Sequence, residues 1–420
     1  MRATIKLVSV FFFIILIPIF YSCSEKKSNS TNHTKINIDK SKESGLSGPL
    51  SSCNEKNLVN TFKHNVVIDK IEKEVSFRQI VKEYKYIKLE TNDQCLIGDI
   101  KKMLFYKDRI YILSGGVYCF DIKGHFLFAI NKKGVGPSDY IRIDEMNIDD
   151  DKIYIYDNSQ WRILSFNSNS GTFIRSFKLP YSVPLAVVVK SNLFIDRSHF
   201  QNKFVKGNER ILVSNINKPD QIKRCFFPEK RFEVDAENQF SENNGQVYFI
   251  DPLYNKVYKI HPDSVENLFY IDGKKNNLSE KEIALLIDEG RFSSEAIRAN
   301  GKASGLKYMY ENKNFIISQL NVGNNIVTLL FEKKTNRHIV FENVKCELYQ
   351  IPPVEIGAVY NDYFCKTVPA HILYTNNQVE KKKKKIILEP NNPEFKNQNI
   401  YNGAQLQDNP IIAMYRFKSL

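Results

Sequence analysis

A repeated run of short β-strands, with a period of 43 residues, is the feature that most constrains the fold of this chain. The clearest copies lie at 108–130 and 150–177, and each contains strands of alternating apolar side chains separated by turns. Ile110 of the first copy aligns with Ile153 of the second. Because a four-stranded propeller blade takes about 40–50 residues, this period predicts an all-β fold of the β-propeller type.

Weaker copies at 191–214, 245–260 and 325–341 extend the pattern. Six blades of this length need fewer residues than the domain predicted at 65–420, so the domain must contain insertions. One insertion is a short helix within about 276–300, where Ser279 and Glu282 have the spacing of a capping box. The β-rich segments 84–89 and 411–417 are candidates for sharing one blade and closing the ring.

The loop between the two clearest copies is Gly134-Val135-Gly136-Pro137. A turn glycine and a Phe-Leu strand precede it, and an Asp-rich turn and an Ile-Tyr-Ile-Tyr-Asp strand follow it. These motifs resemble NHL/TolB-like propeller repeats. With the segments 86–91 and 408–417, the chain resembles the six-bladed β-propeller lipoproteins of Gram-negative gut-type bacteria. The resemblance implies a six-bladed propeller but no particular activity.

The N-terminus has the order of a secretory signal, with a basic start, an apolar run and a small residue before a cysteine. The apolar run from Leu7 to Phe20 has 14 residues, whereas a helix that spans a bilayer needs about 20. Ser22 before Cys23 resembles the lipobox of bacterial lipoproteins. We therefore expect residues 1–22 to be a lipoprotein signal peptide and Cys23 to carry the lipid. The alternative is an ordinary signal peptide with an incidental cysteine.

Residues 23–60 are dominated by Ser, Lys, Asn and Thr and have no periodic apolar face. Such a segment cannot bury enough surface to fold, so it predicts a flexible tether. A lipid at Cys23 would attach the protein to a membrane. The expected location is the cell envelope of a Gram-negative bacterium, at the outer membrane, facing either the periplasm or the cell surface.

The formal net charge of +13 favours acidic partners, such as phosphorylated lipids, acidic glycans or nucleic acid. An exported protein does not meet nucleic acid, so we expect no such partner. The run Lys381–Lys385 is typical of a solvated loop or edge strand. The six cysteines after Cys23 are too sparse for a disulfide scaffold and have no metal-ligand spacing, which favours small buried side chains.

No local motif indicates catalysis, a metal or a cofactor. The seven histidines are scattered, and the acidic run Asp149–Asp151 lacks the spacing of a calcium loop, which favours an ordinary turn. The glycine-rich loop is not followed by a helix signal or a Lys-Ser/Thr pair, so it is not expected to bind phosphate. Gly134, Gly136 and Pro137 are instead expected to form an inter-blade loop.

The preferred functional hypothesis is a lipid-anchored binding module that presents one propeller face to a glycan, a peptide or an envelope protein, without catalysis. Trp161 is the candidate contact residue, because it lies in a turn rather than within a strand. One alternative is a lyase or hydrolase whose residues converge on the central channel, where distant residues can meet. Another is a structural subunit of an envelope complex.

Overall fold

The computed structural model describes residues 61–197, 209–228, 240–251, 254–279, 281–283, 285, 302–347, 350–380 and 395–420. They belong to one compact unit, Gly45–Leu420. The predicted signal peptide, the tether, most of the predicted helical insertion and the lysine run at 381–385 lie outside the described residues. No helix in the described part of the chain is long and apolar enough to cross a membrane.

Three strands precede the first blade. They are β1 (His64–Val67), β2 (Glu72–Ser76) and β3 (Val81–Lys88). Blade 1 then consists of β4 (Lys102–Tyr106), β5 (Arg109–Leu113), β6 (Val117–Asp121) and β7 (Phe126–Ile130). Blade 2 consists of β8 (Glu145–Asp149), β9 (Lys152–Asp157), β10 (Arg162–Asn167) and β11 (Phe173–Lys178). Blade 3 consists of β12 (Leu185–Val189), β13 (Asn192–Asp196), β14 (Glu209–Asn215) and β15 (Arg224–Pro228).

Blade 4 consists of β16 (Phe240–Asn243), β17 (Gln246–Asp251), β18 (Lys256–Ile260) and β19 (Val265–Asp272). Blade 5 consists of β20 (Ala303–Glu311), β21 (Phe315–Val322), β22 (Asn325–Glu332) and β23 (Arg337–Lys345). Blade 6 consists of β24 (Ala358–Tyr360), β25 (Tyr363–Val368), β26 (Ile411–Phe417) and β3. The described strands therefore form six sheets, and the prediction of a six-bladed propeller is confirmed.

The hydrophobic core is divided among the spaces between blades. Between blades 1 and 2, for example, Tyr111, Val117, Ile153 and Leu164 are buried in one cluster. The second strand of a blade has neighbouring blades on both sides, so its side chains are buried on both faces. The run Ile153 to Asp157 in β9 is buried throughout for this reason. Stacking of the repeats thus buries apolar surface that no single blade could cover.

The two ends of the domain join in blade 6. Strand β26 pairs antiparallel with β3, from Ile411 opposite Lys88 to Phe417 opposite Val81. The prediction that segments 84–89 and 411–417 close the ring is confirmed. A closed ring leaves no blade face without a neighbour.

The first two strands occupy positions that the repeat did not predict. Strand β1 pairs in parallel with β19 at the outer edge of blade 4, and β2 pairs in parallel with β23 at the outer edge of blade 5. The chain from β1 to β3 therefore follows the rim across three consecutive blades. Because unpaired strand edges invite association with other chains, this arrangement also covers two of them.

The described residues include the helices α1 (Phe77–Ile80), α2 (Ala370–Glu380) and α3 (Phe395–Asn402), a 3-10 turn at Lys274–Asn276 and helical residues at 281–283 and 285. The side-chain amide of Asn397 on α3 accepts a hydrogen bond from the backbone N–H of Tyr86 and donates one to the carbonyl of Tyr84, both at 3.1 Å. The Asn397 amide thus pairs with backbone groups on the outer edge of β3, as a further strand would. In the predicted insertion, the hydroxyl of Ser279 and the carboxylate of Glu282 exchange the hydrogen bonds of a capping box.

Candidate functional site

A cavity of about 390 Å³ lies at the centre of the ring, where the innermost strands of four blades end. Its walls are residues 104–106 of blade 1, 148–150 of blade 2, 242–245 of blade 4 and 358–359 of blade 6. All four segments lie where the first strand of a blade turns into the second. The cavity therefore opens on the face of the propeller that carries these hairpins, which we call the cavity face.

Tight turns place the polar residues at the mouth of this cavity. Asp150 and Asp151 join β8 to β9 with φ values of 49° and 58°, and Asn244 and Gly245 join β16 to β17 with φ values of 51° and 71°. Two-residue hairpins of this kind need positive φ at both central positions, which Asp, Asn and Gly tolerate best. In the acidic run at 149–151, Asp149 ends β8, and Asp150 and Asp151 form the turn that the sequence predicted.

The charged residues that line the cavity are the carboxylates Asp149, Asp150 and Glu242. Outside the lining, at the start of the same strands, Lys102 on β4 forms an ion pair with Glu145 on β8, with Nζ and Oε1 2.6 Å apart and both side chains largely buried. Asp150 pairs with Lys152 at the exposed mouth. Within the described part of the chain, Asp149 and Glu242 line the cavity without a Lys or Arg side chain at ion-pair distance.

Glu242 is the most unusual of these groups, because only 5% of it is exposed. Its Oε1 accepts a hydrogen bond from the backbone N–H of Gly245 at 2.7 Å. Burial raises the pKa of the Glu242 carboxyl, and the charges of Glu145 and Asp149 raise it further, against the opposing influence of Lys102. Burial likewise raises the pKa of Asp149, although the N–H of Lys190 donates to its Oδ2 at 2.6 Å.

Aromatic rings complete the lining. Phe105 and Tyr106 end β4 at the cavity wall, and the ring of Phe105 stacks on that of Tyr360 with centroids 4.9 Å apart. Carboxyl groups next to aromatic rings suit a cationic group, because the rings attract cations through their faces. The charge of the cavity lining is therefore opposite in sign to the net charge of the whole chain.

Trp161 does not line this cavity. It lies in the turn from β9 to β10, with a φ of 51° and 43% of its surface exposed. The turn joins the second strand of blade 2 to the third, so it lies at the other end of the strands, on the face opposite the cavity face.

The predicted inter-blade loop lies beside this turn. The side-chain amide of Gln160 donates to the carbonyl of Gly134 at 3.3 Å, and Arg162 Nη2 donates to that of Gly136 at 3.0 Å. The structure therefore brings the Trp161 turn and the Gly134–Pro137 loop together. Both are remote from the cavity.

Glu242 and the nearby ion pair of Lys102 and Glu145 were not singled out from the sequence, and Asp149 was noted only as part of an acidic run. They come from three blades and are separated by up to 140 positions, so no local spacing could identify them. One signal was present: Lys102 and Glu145 are 43 positions apart, which is one repeat period. Equivalent positions in adjacent blades lie side by side, so charges of opposite sign at that spacing indicate an inter-blade ion pair.

Two solved structures are similar to this chain. A protein of Bacteroides fragilis NCTC 9343, whose description proposes that it is exported, is 16% identical with a TM-score of 0.67, over 84% of this chain and 99% of that one. A member of the DUF4221 family from Bacteroides vulgatus ATCC 8482 is 13% identical with a TM-score of 0.44, over 80% of this chain and 97% of that one.

No curated protein sequence matches this chain. A family model described as a domain of unknown function, DUF4934, matches residues 61–416. This match includes all six blades. The chain therefore belongs to the DUF4934 family, and it folds as a six-bladed β-propeller.

Proposed function

We propose that this protein is a non-catalytic binding module of the Gram-negative cell envelope, which holds a cationic group of a peptide or protein partner in its central cavity. Residues 1–22 are the signal peptide, Cys23 carries the lipid and residues 23–60 form the tether. The basic start, the apolar run Leu7–Phe20, the lipobox-like Ser22-Cys23 and the polar composition of 23–60 support this assignment. The observation that carries the binding proposal is the buried Glu242 carboxyl beside Asp149 in an acidic, aromatic-lined cavity.

Charge and shape both favour an ammonium or guanidinium group as the occupant. Ionised Glu242 lacks a cationic side chain at ion-pair distance among the described residues, so a ligand cation would supply the missing partner. Hydrogen bonds that involve ionised groups are stronger than neutral ones. The cavity volume of about 390 Å³ also lies within the usual range for small-molecule sites, roughly 300–1,000 Å³.

The test is isothermal titration of the full-length protein with a tri-lysine peptide, and with a tri-glutamate peptide as the matched control. We expect tri-lysine to bind and tri-glutamate not to bind. Asp149→Asn should weaken tri-lysine binding by roughly tenfold, or about 1.4 kcal/mol. Asp263→Asn, which alters an exposed carboxylate on a hairpin of blade 4, should leave binding unchanged.

The same titration has a defined dependence on pH. Because the pKa of Glu242 is raised, acidification protonates this carboxyl before ordinary surface carboxyls and removes the charge that attracts the ligand. Tri-lysine should therefore bind more weakly at pH 5 than at pH 7.5. Equal binding of both peptides, or no binding of tri-lysine, would refute the proposal.

Catalysis is the second candidate, because neighbouring carboxyls with perturbed pKa values also occur in hydrolases. Glu242 would then act as the proton donor and Asp149 as its partner. A panel of 4-nitrophenyl glycosides tests this role directly. Turnover that Glu242→Gln abolishes would favour an enzyme, whereas tri-lysine binding without turnover favours the binding module.

A further inference from the structure

A second cleft, of about 600 Å³, lies on the rim of blade 4, away from the central cavity. Three strands form its floor: β18, β19 and the added N-terminal strand β1. Lys256, Tyr270 and Asn65 lie in one row across these strands, because Tyr270 is the register partner of both others. The opposite face of the same strands packs in the core, where Val66 and Phe269 are fully buried. The cleft is therefore built on a rigid sheet.

A β-bulge arranges the side chains of the cleft. Val257 pairs with Phe269, but the next residue, Tyr258, pairs with Asn267, so Leu268 is the extra residue. In a regular strand, residues 267 and 270 would point to opposite faces, because side chains alternate. The bulge instead places both Asn267 and Tyr270 in the cleft. Bulges often re-aim side chains in this way at functional positions.

Three aromatic rings dominate the lining. The centroid of the Phe62 ring lies 5.7 Å from that of Tyr258 and 5.7 Å from that of Tyr270. All three side chains are partly exposed. Asn65, which is exposed, adds an amide beside Asn267. The surface thus combines flat apolar faces with short, uncharged groups that both donate and accept hydrogen bonds.

The charges in the cleft cancel. Lys256 and Asp272 are its charged lining residues. Asp272 Oδ1 already accepts hydrogen bonds from the side chain of Asn277 at 2.9 Å and from the N–H of Lys274 at 2.8 Å. The Nζ of Lys256 lies 5.9 Å from the centroid of the Phe62 ring. A phosphorylated or strongly basic ligand would find no matching excess of charge, so the lining favours a neutral ligand.

We propose that this rim cleft, lined by Phe62, Tyr258, Tyr270, Asn65 and Asn267, binds a neutral oligosaccharide of pyranose units. A pyranose ring has apolar C–H faces and a periphery of hydroxyl groups. The three aromatic rings pack against the C–H faces. The side-chain amides of Asn65 and Asn267 and the ammonium group of Lys256 form hydrogen bonds with the hydroxyl groups. The site is distinct from the central cavity, and it depends on β1, because Phe62 and Asn65 belong to the N-terminal segment that crosses the rim.

The test uses full-length protein in a detergent without a sugar headgroup. Cellohexaose, maltohexaose, mannohexaose and N-acetylated chitohexaose are the probes, and saturation-transfer NMR and isothermal titration measure binding. We expect at least one probe to bind. Tyr258→Ala should weaken its binding by at least tenfold, whereas Tyr258→Phe, which keeps the ring, should change it by less than threefold.

Trp161→Ala is the matched control, because it removes an exposed aromatic side chain from another blade. It should leave saccharide binding unchanged, and Tyr258→Ala should leave tri-lysine binding unchanged, which separates the two sites. Because the Tyr258 ring also packs against Phe227 and Phe249, Tyr258→Ala is measured well below its own melting temperature, where an unchanged circular dichroism spectrum shows that the fold is intact. The proposal is overturned if none of the four probes binds, if Tyr258→Ala binds as the unaltered protein does, or if Trp161→Ala alone abolishes binding.

Discussion

At the scale of single residues, the burial of Glu242 should make the stability of the fold depend on pH. Its pKa is raised in the folded protein, chiefly by burial, so the fold disfavours the ionised form. Well below the pKa of Glu242 in the unfolded chain, about 4.3, the carboxyl is protonated in both the folded and the unfolded state, so its burial costs no stability. The cost appears as pH rises from that value through the folded pKa, so Glu242 lowers stability at neutral pH.

Glu242→Gln should therefore unfold at the same or a higher temperature than the unaltered protein at pH 7. The difference should disappear near pH 4, where Glu242 is protonated in both states. Thermal unfolding monitored by circular dichroism across this pH range measures the effect. Asp263→Asn, at an exposed position, is the control. A lower melting temperature for Glu242→Gln at pH 7 would show that the ionised carboxylate stabilises the fold.

Gly124 occupies a second position at which the choice of residue should affect stability. It has a φ of +96°, and a Cβ built on it would lie 2.1 Å from the carbonyl oxygen of Lys88. Its own carbonyl accepts a hydrogen bond from the N–H of Glu90 at 2.8 Å. The hairpin of blade 1 thus contacts the backbone that leaves the closing strand β3, at a distance that only glycine permits.

We expect Gly124→Ala to reduce the free energy of unfolding by about 2–4 kcal/mol, from left-handed strain and steric overlap. Gly115→Ala is the matched control, because Gly115 has a φ of +68° but no atom within 4 Å of a built Cβ. It should cost about 1–2 kcal/mol, from strain alone. Urea unfolding measures both, and equal losses would contradict the steric argument.

At the scale of elements, the N-terminal strands reinforce the rim. β1 contributes Val66, which is fully buried, and covers the edge of β19. β2 covers the edge of β23 in the same way. The ring is closed by β3 alone, so these two strands stabilise blades 4 and 5 without being needed for closure.

A chain shortened to begin at Lys70 lacks β1, whereas one that begins at Thr61 retains it. We expect the shorter chain to fold but to melt about 5 °C lower, because it loses buried apolar surface from Val66 and Ile68. It should also lose the saccharide binding of the rim cleft. Differential scanning calorimetry of both chains measures the first effect, and equal melting temperatures would contradict it.

The outer strand of blade 3 carries a covalent link. Cys225 on β15 is disulfide-bonded. The other described cysteines, Cys95, Cys119, Cys346 and Cys365, are free. The sequence leaves Cys23 and Cys53 as possible partners. A lipid on the sulfur of Cys23 would leave Cys53 for this bond.

We therefore expect peptide mapping of the unreduced protein to recover a peptide pair that joins Cys53 to Cys225. Cys53→Ser should reduce the free energy of unfolding by about 2–4 kcal/mol, because the cross-link restricts the unfolded chain. The matched control is Cys346→Ser, which alters a free cysteine. Recovery of Cys53 as a free thiol would contradict this pairing.

At the scale of the whole molecule, anchoring should depend on one residue at the N-terminus. If Cys23 carries the lipid as proposed, Cys23→Ala should move the protein from the membrane fraction to the soluble fraction, because no lipid would then hold it at the membrane. Membrane fractionation followed by immunoblotting measures this change. The Cys53→Ser variant is the control and should remain with the membrane. Retention of Cys23→Ala in the membrane fraction would refute the lipid anchor.

The sequence by itself determined the architecture of the propeller. The 43-residue period predicted a propeller, and alternating apolar residues located strands such as β5, β9, β17 and β22, while the resemblance to known propellers supplied the number of six blades. The similar strand composition of segments 84–89 and 411–417 identified the closure. These features are local or periodic, because each blade must present the same apolar faces to its neighbours. A single sequence therefore carries them in a readable form.

The tertiary structure alone decided which residues share a site. Glu242 meets Asp149 only because the ring brings the innermost strands of blades 4 and 2 to one cavity. Tyr270 meets Phe62 only because β1 returns to the rim of blade 4 in parallel, beside a bulge. Neither pair of residues has a characteristic spacing in the sequence, because the closed ring and the added strand β1 bring together segments that are far apart in the chain. Trp161, the candidate that local pattern favoured, lies on the opposite face from the cavity.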